Sequence, residues 1–76
     1  MKNLLAEIAK HMVDYPEQVK VNELGSSHTS VLELSVAKQD IGKIIGAKGR
    51  NIAAIRAIMT AASAKNHKRI IVEVLE

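Results

Sequence analysis

Apolar positions change period three times along this chain, and each change marks a boundary between elements. Leu4, Leu5, Ile8, Ala9 and Met12 recur at helical spacing and predict an amphipathic helix over about residues 2–13. Asp14-Tyr15-Pro16 ends it, because proline disfavours helical geometry in the residue before it. Val19 and Val21 then alternate with Gln18, Lys20 and Asn22 as a short strand. Leu24-Gly25-Ser26-Ser27-His28 reads as a turn, and Leu32, Leu34 and Val36 alternate as a second strand. Two strands around so short a turn pair antiparallel. Asp40 is placed to N-cap a short helix carrying Ile41, Ile44 and Ile45. A glycine turn follows. Ile52, Ile55, Met59 and Ala62 then form the buried stripe of a longer helix running to about Ala64, which Lys65-Asn66-His67 breaks. Ile70-Ile71-Val72-Glu73-Val74-Leu75 is β-branched-rich and predicts a third strand.

The resulting order is α-β-β-α-α-β. A helical crossover between the second and third strands favours their parallel pairing in a right-handed connection. The expected fold class is therefore α+β, two-layered, with a three-stranded mixed sheet and all three helices on one face.

Composition narrows the picture. Seventy-six residues suit one domain, 1–76, of modest stability unless self-association adds to it. The apolar 47% is almost wholly aliphatic, with no Phe or Trp and Tyr15 the sole aromatic. Without cysteine there are no disulfides or thiolate metal sites. No signal pattern and no apolar run of the ~20 residues needed to span a membrane are present, so no membrane partner and a cytoplasmic location are expected. The net charge of +3 is unevenly spread: residues 1–37 carry three Lys against five acids, whereas residues 38–69 carry eight Lys or Arg against Asp40 alone. Basic residues gathered around the glycine turn point to a polyanion partner.

The turn itself is Ile44-Ile45-Gly46-Ala47-Lys48-Gly49-Arg50-Asn51-Ile52. Glycine reaches positive φ freely and leaves the backbone open to a ligand. Gly46 can end one helix and Gly49 begin the next, whose N-terminal N–H groups and dipole accept phosphate oxygens. Lys43, Lys48 and Arg50 add charge in the same turn or one helical turn away. Ile41, Ile44, Ile45 and Ile52 anchor both helices and can floor a groove for bases. With almost no aromatics for stacking, recognition must rest on aliphatic contact, backbone hydrogen bonds and a phosphate clamp, which predicts weak binding with little sequence preference.

These residues resemble the signature of KH domains, whose GXXG loop clamps about four nucleotides of backbone. The likeness extends to Ile41-Gly42-Lys43 and Ile55-Arg56, which brings Arg56 into the implied RNA-binding set. The element order is similar to the type II KH arrangement, and in length and layout the chain resembles the small bacterial single-KH family known as KhpA or YlqC. The N-terminal half matches in layout alone. The resemblance implies a cytoplasmic single-stranded RNA-binding protein acting as an RNA chaperone. It also implies a homodimer, a heterodimer with a larger Jag-type KH protein, and a link to cell elongation and wall synthesis.

Other chemistries fit poorly. A Walker A loop fails because the fifth residue after Gly42 is Ala47 and Lys48 precedes Gly49; a dinucleotide fingerprint needs glycine where Ile44 stands. His11, His28 and His67 lie on different elements without ligand spacing, and no nucleophile motif occurs, so neither an enzyme nor a cofactor or metal site is expected. His67, with Lys65, Lys68 and Arg69, extends the basic surface at most. The competing reading is a protein-interaction scaffold with little RNA binding. Beside the core stripe of the long helix runs a second one, Ala54, Ala57, Ile58 and Ala61. It reads equally as helix-favouring alanine and as a dimer contact centred on Ile58.

Overall fold

The computed structural model describes residues 1–76. Its elements are α1 (Lys2–Lys10), β1 (Lys20–Gly25), β2 (Thr29–Ser35), α2 (Ile41–Ile45), α3 (Arg50–Ser63) and β3 (Arg69–Val74), the order expected. β1 pairs antiparallel with β2, and β2 pairs parallel with β3, giving sheet order β1-β2-β3. The register sets Val21 opposite Leu34, with Leu32 and Leu34 opposite Val72 and Val74.

Alternation along β2 buries Ser30, Leu32 and Leu34 and turns Val31 and Glu33 to the other face. All three helices cover the first face. Leu5 and Ala9 of α1, Ile44 of α2 and Ile52, Ile55 and Met59 of α3 close over Leu32, Leu34 and Val72 in one core. Each of the largest fully buried side chains (Leu5, Leu32, Leu34, Ile44, Ile55, Met59) contributes about 1.5–3 kcal/mol by leaving water. The other face of the sheet is left without a covering element.

Several details differ from expectation. α1 stops at Lys10 rather than near residue 13, because the His11 and Met12 N–H groups fold back onto Glu7, Ile8 and Ala9 carbonyls in a tightened last turn. Leu4, placed in its buried stripe, is exposed. β1 begins after Val19 and runs through Leu24 and Gly25, so the hairpin loop is only Ser26–His28, closed by the Ser26 N–H on the Thr29 carbonyl at 2.8 Å. In α3 Ala62 is only half-buried; Ser63 holds the last buried position, its hydroxyl donating to the Thr60 carbonyl at 3.0 Å. Ser30 is tolerated in the core because it donates to the Glu23 carboxylate at 3.0 Å.

Candidate nucleic-acid interface

Between α2 and α3 lies a single 3-10 turn, Ala47–Gly49. Three of its four framing residues have positive φ: Gly46 (φ 77°, ψ 170°), Lys48 (φ 57°, ψ 25°) and Gly49 (φ 72°, ψ 18°). The Gly46, Gly49 and Arg50 N–H groups are engaged by the Gly42, Gly46 and Ala47 carbonyls. The Ala47 and Lys48 N–H groups head the turn and bond to no other backbone element. The donors offered to a ligand are thus these two, one step earlier than the start of α3 predicted from sequence. Both residues are exposed, and a Cβ on Gly49 would meet nothing within 4 Å, so the approach is open. Lys48 holds a conformation that glycine would adopt at lower cost, a strain of the kind found at binding loops.

Asn51 fixes the turn from inside. Its Nδ2 donates to the Lys43 carbonyl at 2.8 Å, satisfying an orphan acceptor at the end of α2. A Cβ on Gly46 would sit 2.5–2.8 Å from that side chain. Gly46 therefore serves both backbone geometry and the close approach of Asn51.

The sequence-predicted side chains divide into three groups. Ile44 and Ile52 are buried anchors, and Ile41 and Ile45 are half-buried, leaving only the latter pair with surface to floor a groove. Lys48 and Arg50 are exposed and free of ion pairs. Lys43 and Arg56 are already engaged. The Lys43 ammonium lies 3.0 Å from the Asp14 carboxylate and 3.8 Å from that of Asp40. The hydrogen bond to Asp14 and its charge hold the lysine above its ordinary value of 10.5, against a small desolvation effect, with Asp40 and Tyr15 adding to the rise. Arg56 donates through Nε and Nη2 to the Val72 carbonyl at 3.3 and 3.0 Å. It thereby covers part of the free edge of β3.

Asp40 stands at the N-cap position of α2 but makes no cap hydrogen bond. Instead its carboxylate, wholly buried, accepts the Asp14 N–H at 3.2 Å and the Tyr15 N–H at 3.0 Å. It ties the loop after α1 to the helix that carries the glycine turn. Nothing in the local pattern signals this, since the partners are 25 and 26 residues away.

A groove of about 680 Å³ runs between α3 and the edge of β3, lined by Arg56, Thr60, Ser63, His67, Lys68 and Arg69 among others. His67, Lys68 and Arg69 thus line a basic groove at the C-terminal half of α3, away from the glycine turn that precedes Arg50. On the outer face of α3, Ala54, Ala57, Ile58 and Ala61 are all exposed, Ile58 to 48%. No helix is long and apolar enough to cross a membrane, and no three His, Cys, Asp or Glu side chains are grouped to hold a metal ion.

Comparison with known proteins gives a consistent result. The family model described as KhpA/KhpB, KH domain matches residues 2–74. The chain is 49% identical over 76 residues to RNA-binding protein KhpA of Chlamydia pneumoniae, an overlap of 100% of this chain and 97% of that one. It is 47% identical over 75 residues to RNA-binding protein KhpA of Clostridium acetobutylicum, covering 99% and 100%. Against RNA-binding protein KhpA of Halalkalibacterium halodurans the identity is 38% over 76 residues, with both chains covered completely. None of the solved structures matches the chain.

Proposed function

This chain belongs to the KhpA/KhpB family of KH domains, and we propose that it binds single-stranded RNA without catalysis. The observation that carries the reading is the exposed Gly46–Gly49 turn, with two unengaged N–H groups on Ala47 and Lys48 and two unpaired cations on Lys48 and Arg50. A phosphate seated there receives two charge-assisted hydrogen bonds. The groove along the C-terminal half of α3 supports a polyanion partner separately, because Arg56, Lys68 and Arg69 line it. The names of the relatives, each an RNA-binding protein, favour RNA over other polyanions. A clamp that grips backbone more than bases binds many sequences loosely and releases them, as an RNA chaperone in the cytoplasm must.

The test is the double variant Ala47→Asp with Lys48→Asp. Both positions are exposed, so the fold survives while two anions occupy the phosphate position. Loss of two charge-assisted bonds of about 1.5–3 kcal/mol each weakens binding by about 100-fold or more. Polarisation of a labelled oligouridylate measures it. The parent's affinity should also fall with salt, by a slope of about −0.7 per phosphate contacted. A folded double variant with parental affinity refutes the clamp and leaves the scaffold reading.

The exposed stripe on α3 favours one addition, a homodimer in which the small Ala54, Ala57 and Ala61 let two α3 helices approach around Ile58. The same face would serve a larger KH-containing partner. Two linked sites gain affinity by effective concentration without new RNA contacts. Ile58→Asp should sediment as a monomer with unchanged helical content; a variant sedimenting like the parent places the interface elsewhere.

A further inference from the structure

Tyr15 is the one aromatic side chain in the chain, and it is 40% exposed. It is not among the apolar residues packed on the core. Yet its backbone is held on both sides: its N–H donates to the buried Asp40 carboxylate at 3.0 Å, and its carbonyl accepts the Gln18 N–H at 3.0 Å. Pro16 follows directly and opens the 3-10 turn Pro16–Gln18, which removes further freedom. A rigidly mounted, exposed aromatic with no part in the core calls for an explanation outside the core.

Its position supplies one. Asp40 immediately precedes α2, and α2 ends at the glycine turn. Six residues of helix-like rise separate Asp40 from Gly46, roughly 9 Å. The mount of Tyr15 is therefore within the length of the ~4 nucleotides that such a turn holds. Lys43 shares Asp40 with it, and the phenol lies near enough to that lysine to add to the rise in its pKa.

We infer that Tyr15 is a stacking platform for one base of the bound strand, next to the phosphate clamp. The assignment rests on the RNA-binding reading above and extends its site to the loop between α1 and β1. The charges around the ring decide what it meets. Asp14 and Asp40 share Lys43, and Glu17 lies two residues on, so the loop has no spare cation for a phosphate. The contact must be with the face of a base, which every base offers, and it adds affinity without sequence preference. Because the mount is fixed before binding, little freedom is lost on stacking.

The sole tyrosine, in a chain without Trp, is also its own reporter. Titrating the intact protein with a ten-nucleotide oligouridylate should quench Tyr15 emission to about half or less at saturation. An abasic ribose-phosphate oligomer of equal length, bound through the clamp, should leave emission unchanged. Tyr15→Ala should bind the oligouridylate about 5- to 100-fold more weakly at an unaltered salt slope, and Tyr15→Phe within about twofold of the parent. Binding seen by polarisation with unchanged emission and a parental affinity in Tyr15→Ala overturns the platform and leaves the clamp standing. Equal quenching by the abasic oligomer overturns it as well. Absence of any binding to the parent overturns the RNA reading itself, and the platform with it.

Discussion

Asp40→Ala should destabilise the fold by about 3–5 kcal/mol, the most of any single change at the flanks of α2. The carboxylate is fully buried and accepts two backbone N–H groups from a loop 25 and 26 residues earlier. Truncation strands both donors, each at a cost of about 1–3 kcal/mol, and removes an acid near the Lys43 ammonium. At about 0.05–0.15 kcal/mol per residue, a chain of 76 residues has on the order of 4–11 kcal/mol in total, so from about a quarter to all of it is at stake. Asp40→Asn keeps one oxygen but turns an amide N–H₂ toward a backbone donor, and should fall between the parent and alanine. Urea midpoints with unchanged slope measure both. The loss should hardly vary across neutral pH. Lys43 has its pKa raised by folding, so its contribution is complete below its ordinary 10.5 and fades only as pH climbs through the higher folded value. An alanine variant within about 1 kcal/mol of the parent would mean that the loop finds other acceptors, and that Tyr15 is not held by Asp40.

That same contact shows where sequence reading reaches its limit. Periodicity reports burial, and burial placed every element: the alternation of Leu32 and Leu34, the Ile52–Ile55–Met59 stripe and the β-branched run at 70–74 all lie where their spacing puts them. The glycine turn was legible because glycine spacing between two helical patterns constrains the backbone locally. Asp40 has the local features of an N-cap and stands at that position, but its hydrogen-bond partners are distant in sequence and leave no local signal. The early end of α1 has a related origin, since the chain must leave the helix in time to aim the Asp14 and Tyr15 N–H groups at that carboxylate. Lys43 and Arg56 carry charge where the pattern asks for it, but an acid from another loop and an edge carbonyl of β3 hold them. Tyr15 carries no comparable signal, because one aromatic in a sequence says nothing about which surface it shares.

Gly46→Ala should cost about 2–4 kcal/mol, although it adds one methyl group at a half-exposed turn. Its φ of 77° and ψ of 170° fall in a region that only glycine occupies readily, a strain of about 1–3 kcal/mol for any other residue. The new Cβ would also press to 2.5–2.8 Å of Asn51, forcing that side chain off the Lys43 carbonyl and losing a further hydrogen bond of about 0.5–1.5 kcal/mol. At about 4–8 °C per kcal/mol for a domain of this size, the melting temperature should drop by about 10–25 °C. Gly49→Ala gives the contrast. There φ is 72° and ψ 18°, ordinary left-handed geometry, and the Cβ enters open space, so only about 1–2 kcal/mol is lost. The two causes at Gly46 separate in a cycle with Asn51→Ala. Asn51→Ala removes the amide and its hydrogen bond but keeps a Cβ 2.8 Å from the new methyl, so Gly46→Ala in that background should cost its backbone strain and that remaining contact without the hydrogen bond, and the two changes should be less than additive. Equal losses at Gly46 and Gly49, or strict additivity with Asn51→Ala, would show that Asn51 does not set the turn. The Ala47 and Lys48 donors would then owe their position to the glycines alone.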